Sequence, residues 1–395
     1  MTPAARTQAA IELLDAVVAS AAAGGAAADT LIARYFSTRR YAGSKDRRAV
    51  RELVYAAIRQ AGPMPPSGRA AMLALADLDP VLAESFDGSA HGPVPILADE
   101  PRAEGGVAPS WLVEALTRSG LTEAQQAALI SRAPLDVRVN SLATTREAVL
   151  AQWPEANPTP LAPLGLRLPN GTPVEQSDIY RAGLVEVQDE GSQLVGAALA
   201  AAPDEWLVDL CAGAGGKTLQ LAAAMDNRGA LLACDVDRAR LQRLLPRAER
   251  AGATIIESRL LNPGREVEML ADWAGKADGV LIDAPCSGTG TWRRNPEARW
   301  RLSPDRLARL QAMQAQVLDI GAALVKPGGR MIYIVCSLLD VEGTEQVAAF
   351  RDRHPRWSVE VLPGAIGAAH GHGRRLDPAS HGTDGFFVAC LRAPC

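Results

Sequence analysis

The order of apolar and polar positions divides the chain into three stretches of different character. Over residues 6–60 the apolar positions recur at helical spacing, in one stripe near the start and another near the end. A break rich in proline follows, and the helical pattern then returns at 70–78, 81–86 and 111–119. We therefore predict an all-α domain over residues 1–130.

The second stretch begins with an alternating pattern that is typical of a strand. Residues 135–140 alternate, 144–153 has helical spacing, and 164–168 indicates a second short strand. Pro and Gly are frequent immediately afterwards. We predict a small α/β linker module over residues 131–175.

The third stretch alternates strand and helix patterns repeatedly, which predicts an α/β domain with a doubly wound parallel sheet over residues 176–395. The predicted strands are 206–210, 230–233, 254–256, 277–282, 330–335, 358–362 and 385–391. The predicted helices are 217–225, 238–251, 303–325 and 343–353.

Composition excludes several classes of protein. The net charge is −4 and 48% of residues are hydrophobic, as in ordinary globular chains. No apolar segment approaches the length that a membrane span needs, and acidic residues interrupt or flank the Ala-rich stretch at 16–28, so it does not resemble a signal peptide. We expect a cytoplasmic protein with no membrane partner.

The cysteines indicate neither a zinc site nor a disulfide framework. None of the six forms a Cys-x-x-Cys pair, and no cluster of His accompanies them. Several lie in or beside apolar runs, which is typical of reduced thiols. We expect no bound metal.

Basic residues concentrate in one part of the helical stretch. Residues 31–60 contain eight Arg and Lys against two acidic residues, Asp46 and Glu52. In isolation such a cluster is more simply interpreted as a solvated helical face. Phosphate binding is the alternative, because the guanidinium group suits bidentate contacts with phosphate.

A glycine-rich turn follows the first predicted strand of the third stretch. It fails as a phosphate-binding P-loop because Cys211 occupies the first glycine position of that motif, and as a dinucleotide fingerprint because Thr218 occupies the third. The third interpretation is a nucleoside-cofactor loop of the S-adenosylmethionine type, and the simpler alternative is a glycine-rich turn that binds no ligand. Asp235, after the second strand, supplies a carboxylate that can hydrogen-bond the ribose hydroxyls.

Two further strands each lead to a cysteine. Asp283 and Cys286 follow the strand 277–282, and Cys336 follows the strand 330–335. A single cysteine at a strand end is more often a small buried side chain than a nucleophile. Neighbouring parallel strands lie only ~4.8 Å apart, however, so both thiols can face one pocket. Thiol addition at C6 of a pyrimidine makes C5 nucleophilic towards a sulfonium methyl group, and an acid near N3 stabilises the adduct.

These motifs resemble the Sun (Fmu) and RsmB-like family of S-adenosylmethionine-dependent RNA cytosine-5 methyltransferases. The resemblance rests on the Gly-Lys-Thr turn, on Asp-Ala-Pro-Cys-Ser-Gly-Thr-Gly at 283–290, and on the later Cys-Ser, and it covers residues 131–395 closely. Flanking matches lie at 187–192 and 293–297. The N-terminal helices, with Gly-Ser-Lys-Asp-Arg-Arg at 43–48, are similar to the NusB-like RNA-binding domain of bacterial ribosomal RNA members.

The resemblance implies a class I (Rossmann-like) methyltransferase fold and a role for each motif. Cys336 would be the nucleophile, Cys286 would promote product release, and Asp283 would hold the target base beside the cofactor. S-adenosyl-L-methionine would bind the loop, the acid after the second strand and the acid before Cys286: Cys211, Ala212, Gly213, Ala214, Gly215, Gly216, Lys217, Asp235 and Asp283. RNA would contact four arginines: Arg293 and Arg294 at the rim of the pocket, and Arg47 and Arg48 in the helical domain.

The chain departs from the family pattern at four places. Ala214 stands where Pro is common, Val335 replaces the Thr before the nucleophile, and Gly343 replaces Asn after Glu342. The acid expected after the third strand, near the adenosyl group, is absent from 258–261.

We therefore expect a monomeric methyltransferase that acts on C5 of cytosine in RNA, with small-subunit ribosomal RNA as the expected substrate. Other substrates or functions remain as alternatives at this point: another RNA such as tRNA, DNA with the Pro-Cys thiol as nucleophile, a non-catalytic RNA-binding assembly factor, or a P-loop nucleotidase.

Overall fold

The computed structural model describes residues 1–362 and 366–395, and the chain divides into two compact units. The helical unit consists of residues 1–132 together with 291–304. The α/β unit consists of residues 133–290 together with 305–395.

The helical unit is built on two long helices, α1 and α3, with shorter helices between and after them. Leu13, Leu14 and Val17 of α1 share one buried core with Val54 and Ile58 of α3, as expected from the apolar stripes in the sequence. The helices of this unit are α1 Pro3–Ala22, α2 Ala28–Ser37, α3 Ser44–Gln60, α4 Gly68–Ala76, α5 Pro80–Ala83, α6 Ser110–Arg118 and α7 Glu123–Ala128.

A segment from the middle of the chain completes the core of the helical unit. Residues 291–304, which the sequence analysis placed in the catalytic domain, group with the N-terminal helices. The Arg299 guanidinium donates to the carbonyl oxygens of Ile58 and Ala61, both at 2.6 Å, and Trp300 joins the same apolar cluster. The division of the chain therefore differs from the predicted one at this segment.

The α/β unit begins with a small antiparallel sheet that has its own core. Its strand order is β2-β3-β1-β4. The last strand lies beyond the predicted boundary at residue 175, but it pairs with the first, with Val187 opposite Val137. The elements of this part are β1 Leu135–Val139, α8 Arg146–Gln152, β2 Asn157–Pro158, β3 Gly165–Leu168, α9 Asp178–Arg181 and β4 Val185–Val187.

The rest of the α/β unit is one large sheet flanked by helices. Its strand order is β11-β12-β13-β9-β8-β5-β6-β7, and β10 pairs with β13. The strands are β5 Trp206–Asp209, β6 Ala230–Asp235, β7 Ile256–Leu260, β8 Ala277–Asp283, β9 Val325–Val335, β10 Ser358–Glu360, β11 Ala368–His370, β12 Gly373–Leu376 and β13 Phe386–Arg392. The helices are α10 Glu190–Ala197, α11 Gly216–Ala224, α12 Arg238–Leu241, α13 Leu244–Ala251, α14 Glu266–Met269, α15 Pro304–Leu324, α16 Thr344–Arg353 and α17 Pro378–His381.

The order of the central strands confirms the predicted doubly wound fold. Strands β7, β6, β5, β8 and β9 are parallel, and β13 runs antiparallel to β9. The chain winds outwards in opposite directions from β5 and β8, so a switch point lies between these two strands. In open α/β sheets ligands bind at the carboxyl ends of the strands at such a point.

Three element predictions were wrong in detail. The predicted helix 238–251 is two helices, α12 and α13, because Pro246 has no N–H to donate to the carbonyl four residues earlier. The predicted strand 254–256 lies ahead of most of β7. The hairpin of β11 and β12 was missed because the sequence 368–376 carries glycine and charged residues where an apolar run would indicate a strand.

Candidate active site

The glycine-rich turn joins β5 to α11 through backbone conformations that favour glycine. Gly213 has a φ of +56° and Gly215 a φ of +86°. A Cβ atom on Gly215 would lie 2.1 Å from Cδ1 of Leu244, so this position has no room for a side chain. No side chain caps the start of α11, so its first turn presents backbone N–H groups.

Asp235 connects this turn to the end of the second strand of the sheet. Its Oδ2 accepts a hydrogen bond from the N–H of Gly213 at 2.7 Å, and its Oδ1 accepts one from the N–H of Asp237 at 2.7 Å. The predicted cofactor acid is thus placed beside the predicted cofactor loop by hydrogen bonds within the chain.

Asp209, the last residue of β5, is a buried acid that the sequence analysis did not place in the site. Its Oδ2 accepts a hydrogen bond from the Thr218 hydroxyl at 2.6 Å, while Oδ1 has no partner in the described part of the chain. Burial raises the pKa of Asp209 to about 7, and the charges of Asp283 and Asp235 act in the same direction. Its place at the carboxyl end of a strand before a glycine-rich turn was the signal available in the sequence.

Lys217 and Asp283 form an ion pair across two strand ends. Lys217 Nζ lies 2.7 Å from Asp283 Oδ2, and the lysine is buried while a third of the aspartate side chain is exposed. Burial alone would lower the pKa of Lys217, but the charge and hydrogen bond of Asp283 outweigh it, so the pKa is raised. The pair therefore carries a fixed positive charge beside an accessible carboxylate.

The two cysteines meet as the strand pattern predicted. The Sγ atoms of Cys286 and Cys336 lie 3.3 Å apart, and both thiols are free. The parallel pairing of β8 with β9 sets this proximity, since Asp283 lies opposite Ile334. The hydrogen bond to Cys336 and burial raise the pKa of the Cys286 thiol well above its ordinary value.

Beyond the cysteines, a buried polar network joins the same two strand ends. The hydroxyls of Ser287 and Ser337, each directly after a cysteine, lie 3.1 Å apart. The Ser287 N–H donates to Oε1 of Glu342 at 2.8 Å. This network was not predicted, because an acid in a loop beyond a strand has no local sequence pattern that distinguishes it from a solvated residue.

The predicted RNA-contacting arginines lie in the helical unit and differ in exposure. Arg293 is 7% exposed, and its guanidinium donates to the carbonyl oxygen of Arg132 at 3.3 Å. Arg294 is partly exposed, and Arg47 and Arg48 are exposed. Arg47 also donates to the carbonyl oxygen of Ala42 at 2.9 Å. Arg293 is thus the least exposed of the four, and the contact of all four arginines with RNA stays a prediction.

Within residues 1–362 and 366–395, no group of three or more His, Cys, Asp or Glu residues is arranged to hold a metal ion. Over the same residues, no helix is both long enough and apolar enough to cross a membrane.

The sheet order, the glycine-rich turn and the acid after the second strand define a class I methyltransferase fold, and two solved structures share it. One is the crystal structure of PH0851, with a TM-score of 0.78 over 99% of both chains at 23% identity. The other is a methyltransferase homolog protein from Pyrococcus horikoshii, with a TM-score of 0.60 over 72% of this chain and 99% of that one at 26% identity.

Sequence comparison identifies one family within the class I methyltransferases. The family described as 16S rRNA methyltransferase RsmB/F matches residues 196–392. The ribosomal RNA small subunit methyltransferase B of Xylella fastidiosa is 36% identical over 72% of this chain and 68% of its own length. A probable ribosomal RNA small subunit methyltransferase B of Synechocystis is 35% identical over 72% of this chain. The chain belongs to the RsmB/F family of 16S rRNA methyltransferases, and the predicted resemblance is confirmed.

The chain spans 66% of the length of the Synechocystis relative, so the match covers part of that protein. The family is one of S-adenosyl-L-methionine-dependent methyltransferases, which agrees with the cofactor expected from the sequence.

Proposed function

We propose that this protein transfers a methyl group from S-adenosyl-L-methionine to C5 of a cytosine in small-subunit ribosomal RNA, through a covalent bond between Cys336 and C6 of the base. The observation that carries the proposal is the pair of thiols, Cys286 and Cys336, 3.3 Å apart at the ends of neighbouring strands. The family and the names of its relatives support ribosomal RNA as the substrate.

The residues around the glycine-rich turn suit the proposed cofactor. The uncapped first turn of α11 presents N–H groups to a carboxylate, as the methionine part of the cofactor requires. Asp235 lies at the end of β6 beside the turn, where its remaining lone pairs can accept from ribose hydroxyls. Bound there, S-adenosyl-L-methionine supplies an electrophilic methyl group.

Cys336 and Cys286 act in different steps of the proposed reaction. The Cys336 thiolate attacks C6, and a carbon–sulfur bond forms. The electrons of the C5–C6 double bond pass to C5, which takes the methyl group and leaves S-adenosyl-L-homocysteine as the by-product. The C5 proton then passes to water or to a basic side chain at the site, so that the double bond re-forms and the Cys336 thiolate is expelled. Cys286, whose sulfur lies 3.3 Å from that of Cys336, assists this elimination. The Asp283 carboxylate accepts from the exocyclic amine and, once N3 is protonated in the adduct, from the N3–H group.

Labelled methyl transfer to an unmethylated small-subunit ribosomal RNA transcript tests the proposal. The wild-type protein should form 5-methylcytosine, and Cys336→Ala should form none. Cys286→Ala should accumulate a protein–RNA adduct that survives denaturation. Cys395→Ala is the matched control, because this exposed thiol lies outside the site.

Two results would contradict the proposal. If the wild-type protein methylates no cytosine in this RNA, the proposed reaction is wrong. Activity in Cys336→Ala, together with loss of activity and of adduct in Cys286→Ala, would exchange the roles of the thiols, as in the DNA cytosine-5 alternative. Bisulfite mapping of the product would identify the methylated cytosine.

A further inference from the structure

Glu342 is a fully buried acid without a cationic partner among the described residues. It lies in the connection between β9 and α16 and has 0% of its surface exposed. Its carboxylate accepts from the Ser287 N–H at 2.8 Å, from the Ser287 hydroxyl, and from Nε2 of Gln314 at 3.0 Å. The Tyr333 hydroxyl donates to its backbone carbonyl at 2.7 Å. Neutral donors therefore hold this carboxylate in place.

The carboxylate also sets the direction of a chain of hydroxyl hydrogen bonds. A carboxylate only accepts, so Ser287 donates to Glu342 and must accept from Ser337 at 3.1 Å. Ser337 in turn accepts from Thr289 at 3.1 Å, and the Thr289 oxygen accepts from the Leu338 N–H at 2.9 Å. Every proton in this chain has one position as long as Glu342 is ionised.

The network acts on the two cysteines unequally. Cys336 directly follows β9, and its carbonyl accepts from the Gly290 N–H at 3.0 Å. Cys286 lies three residues beyond the end of β8, in an irregular connection. The next residue after Cys286 is Ser287, whose N–H and hydroxyl both bond Glu342. The position of Cys286 therefore depends on the carboxylate more than the position of Cys336 does.

We propose that Glu342 is a positioning residue that holds the Cys286 connection against the Cys336 strand end and thereby governs release of the methylated base. This inference rests on the proposed function, in which Cys286 assists release. The negative charge of Glu342 supports it, because that charge contributes to the raised pKa of Cys286 after the larger effects of the Cys336 hydrogen bond and burial.

The Glu342→Gln variant tests the inference with two readouts. The amide can keep one acceptor for the Ser287 N–H, but it removes the charge and no longer fixes the direction of the hydroxyl chain. In single-turnover reactions with the ribosomal RNA transcript, we expect the ratio of covalent adduct to free product to rise by at least ~tenfold, a loss of about 1.4 kcal/mol in the release step. Adduct formation should remain.

The second readout needs no RNA. Iodoacetamide labelling followed by mass spectrometry measures each thiol separately, and Glu342→Gln should increase the rate at Cys286 relative to Cys336, because Cys286 loses both its neighbouring negative charge and its fixed position. Gln346→Ala is the matched control: Gln346 is also buried and donates to the carbonyl of Val341 at 3.3 Å, beside Glu342, but that bond does not reach Ser287 or the Cys286 connection.

Ser287→Ala provides a second variant if Glu342→Gln folds poorly by circular dichroism. It removes one hydroxyl of the chain, so it should shift both readouts in the same direction by a smaller factor, and the double variant should exceed Glu342→Gln by little. The inference would be overturned if Glu342→Gln gave the same two readouts as the control Gln346→Ala. If Ser287→Ala is used in its place, the same comparison with Gln346→Ala applies. A wild-type protein without methyl transfer would instead refute the proposed function, and the labelling result would still decide whether Glu342 positions Cys286.

Discussion

Lys217 at the start of α11 and Asp283 at the end of β8 lie far apart in the sequence, yet their Nζ and Oδ2 atoms are 2.7 Å apart. The ion pair joins the predicted cofactor loop to the strand that leads to Cys286. It places one positive charge next to the carboxylate that is expected to hold the base. Function should therefore depend on the pair more strongly than stability does.

We expect Lys217→Met to reduce the rate of methyl transfer by on the order of a hundredfold, comparable to removing one preorganised electrostatic contact from an active site. Asp283 would lose its cationic partner, so its carboxylate could turn away from the orientation needed to hydrogen-bond the target cytosine. Steady-state kinetics with the ribosomal RNA transcript measures the effect. Lys276→Met is the control, because Lys276 donates only to the carbonyl of Asp272 at an exposed site. Equal rates in the two variants would contradict a role for the pair.

Gly215→Ala should destabilise the α/β unit, because the residue has a φ of +86° and an added Cβ atom would lie 2.1 Å from Leu244 Cδ1. A left-handed alanine costs roughly 1 kcal/mol, and displacement of the buried leucine adds to that. Gly216→Ala is a matched comparison, since a Cβ atom there meets nothing within 4 Å. Thermal unfolding without cofactor should show a lower midpoint for Gly215→Ala than for Gly216→Ala. The opposite order would contradict the geometry of the turn.

Stability should depend on pH through Asp209, because burial raises its pKa from 3.8 to about 7. Between these values the folded protein binds a proton that the unfolded chain releases, so the stabilising contribution of the neutral acid is lost as the pH rises through 7. The full difference corresponds to at most about 4 kcal/mol. We expect Asp209→Asn to raise the unfolding midpoint relative to wild type more at pH 8 than at pH 5. Any effect of the amide on stability that does not depend on pH cancels when the two pH values are compared. If the variant and wild type differed in unfolding midpoint by the same amount at both pH values, a raised pKa of Asp209 would be excluded.

Arg299→Ala should loosen the helical unit locally. The guanidinium is buried and donates to the carbonyl oxygens of Ile58 and Ala61, which would lose these donors and face a cavity. Removal of one partner from a buried network of charge-assisted hydrogen bonds lowers the free energy of unfolding by about 3 kcal/mol. Hydrogen exchange should show lower protection in α1 and α3 with little change in the α/β unit. Arg48→Ala, at an exposed position, should stay within about 0.5 kcal/mol of wild type.

The sequence predicted the features that depend on local patterns and on the rules of parallel sheets. Two apolar runs that end in Asp-Ala-Pro-Cys and in Cys-Ser predicted two buried strands, and the two thiols were expected to share a pocket if these strands were neighbours. The pairing of β8 with β9 meets that condition. The turn before α11 was similarly recognisable from its glycines.

The features that escaped prediction depend on contacts between residues distant in the chain. Glu342 is a charged residue in a loop, and nothing near it in sequence shows that Ser287 and Gln314 will surround it. The run of arginines at 293–301 looks like a solvated surface, yet Arg293 and Arg299 are buried. Each of the two donates to at least one carbonyl that lies more than 150 residues earlier in the chain.

The placement of residues 291–304 in the helical unit has a consequence for recombination among members of the family. The chain passes between the two units at 132/133, again at 290/291 and again at 304/305, so the N-terminal helices are not an independent cassette. A chimera that exchanges only residues 1–132 would pair foreign helices with the resident Arg299 and Trp300. An exchange intended to transfer RNA specificity should therefore carry two separate segments, residues 1–132 and residues 291–304, the second of which lies within the sequence of the α/β unit.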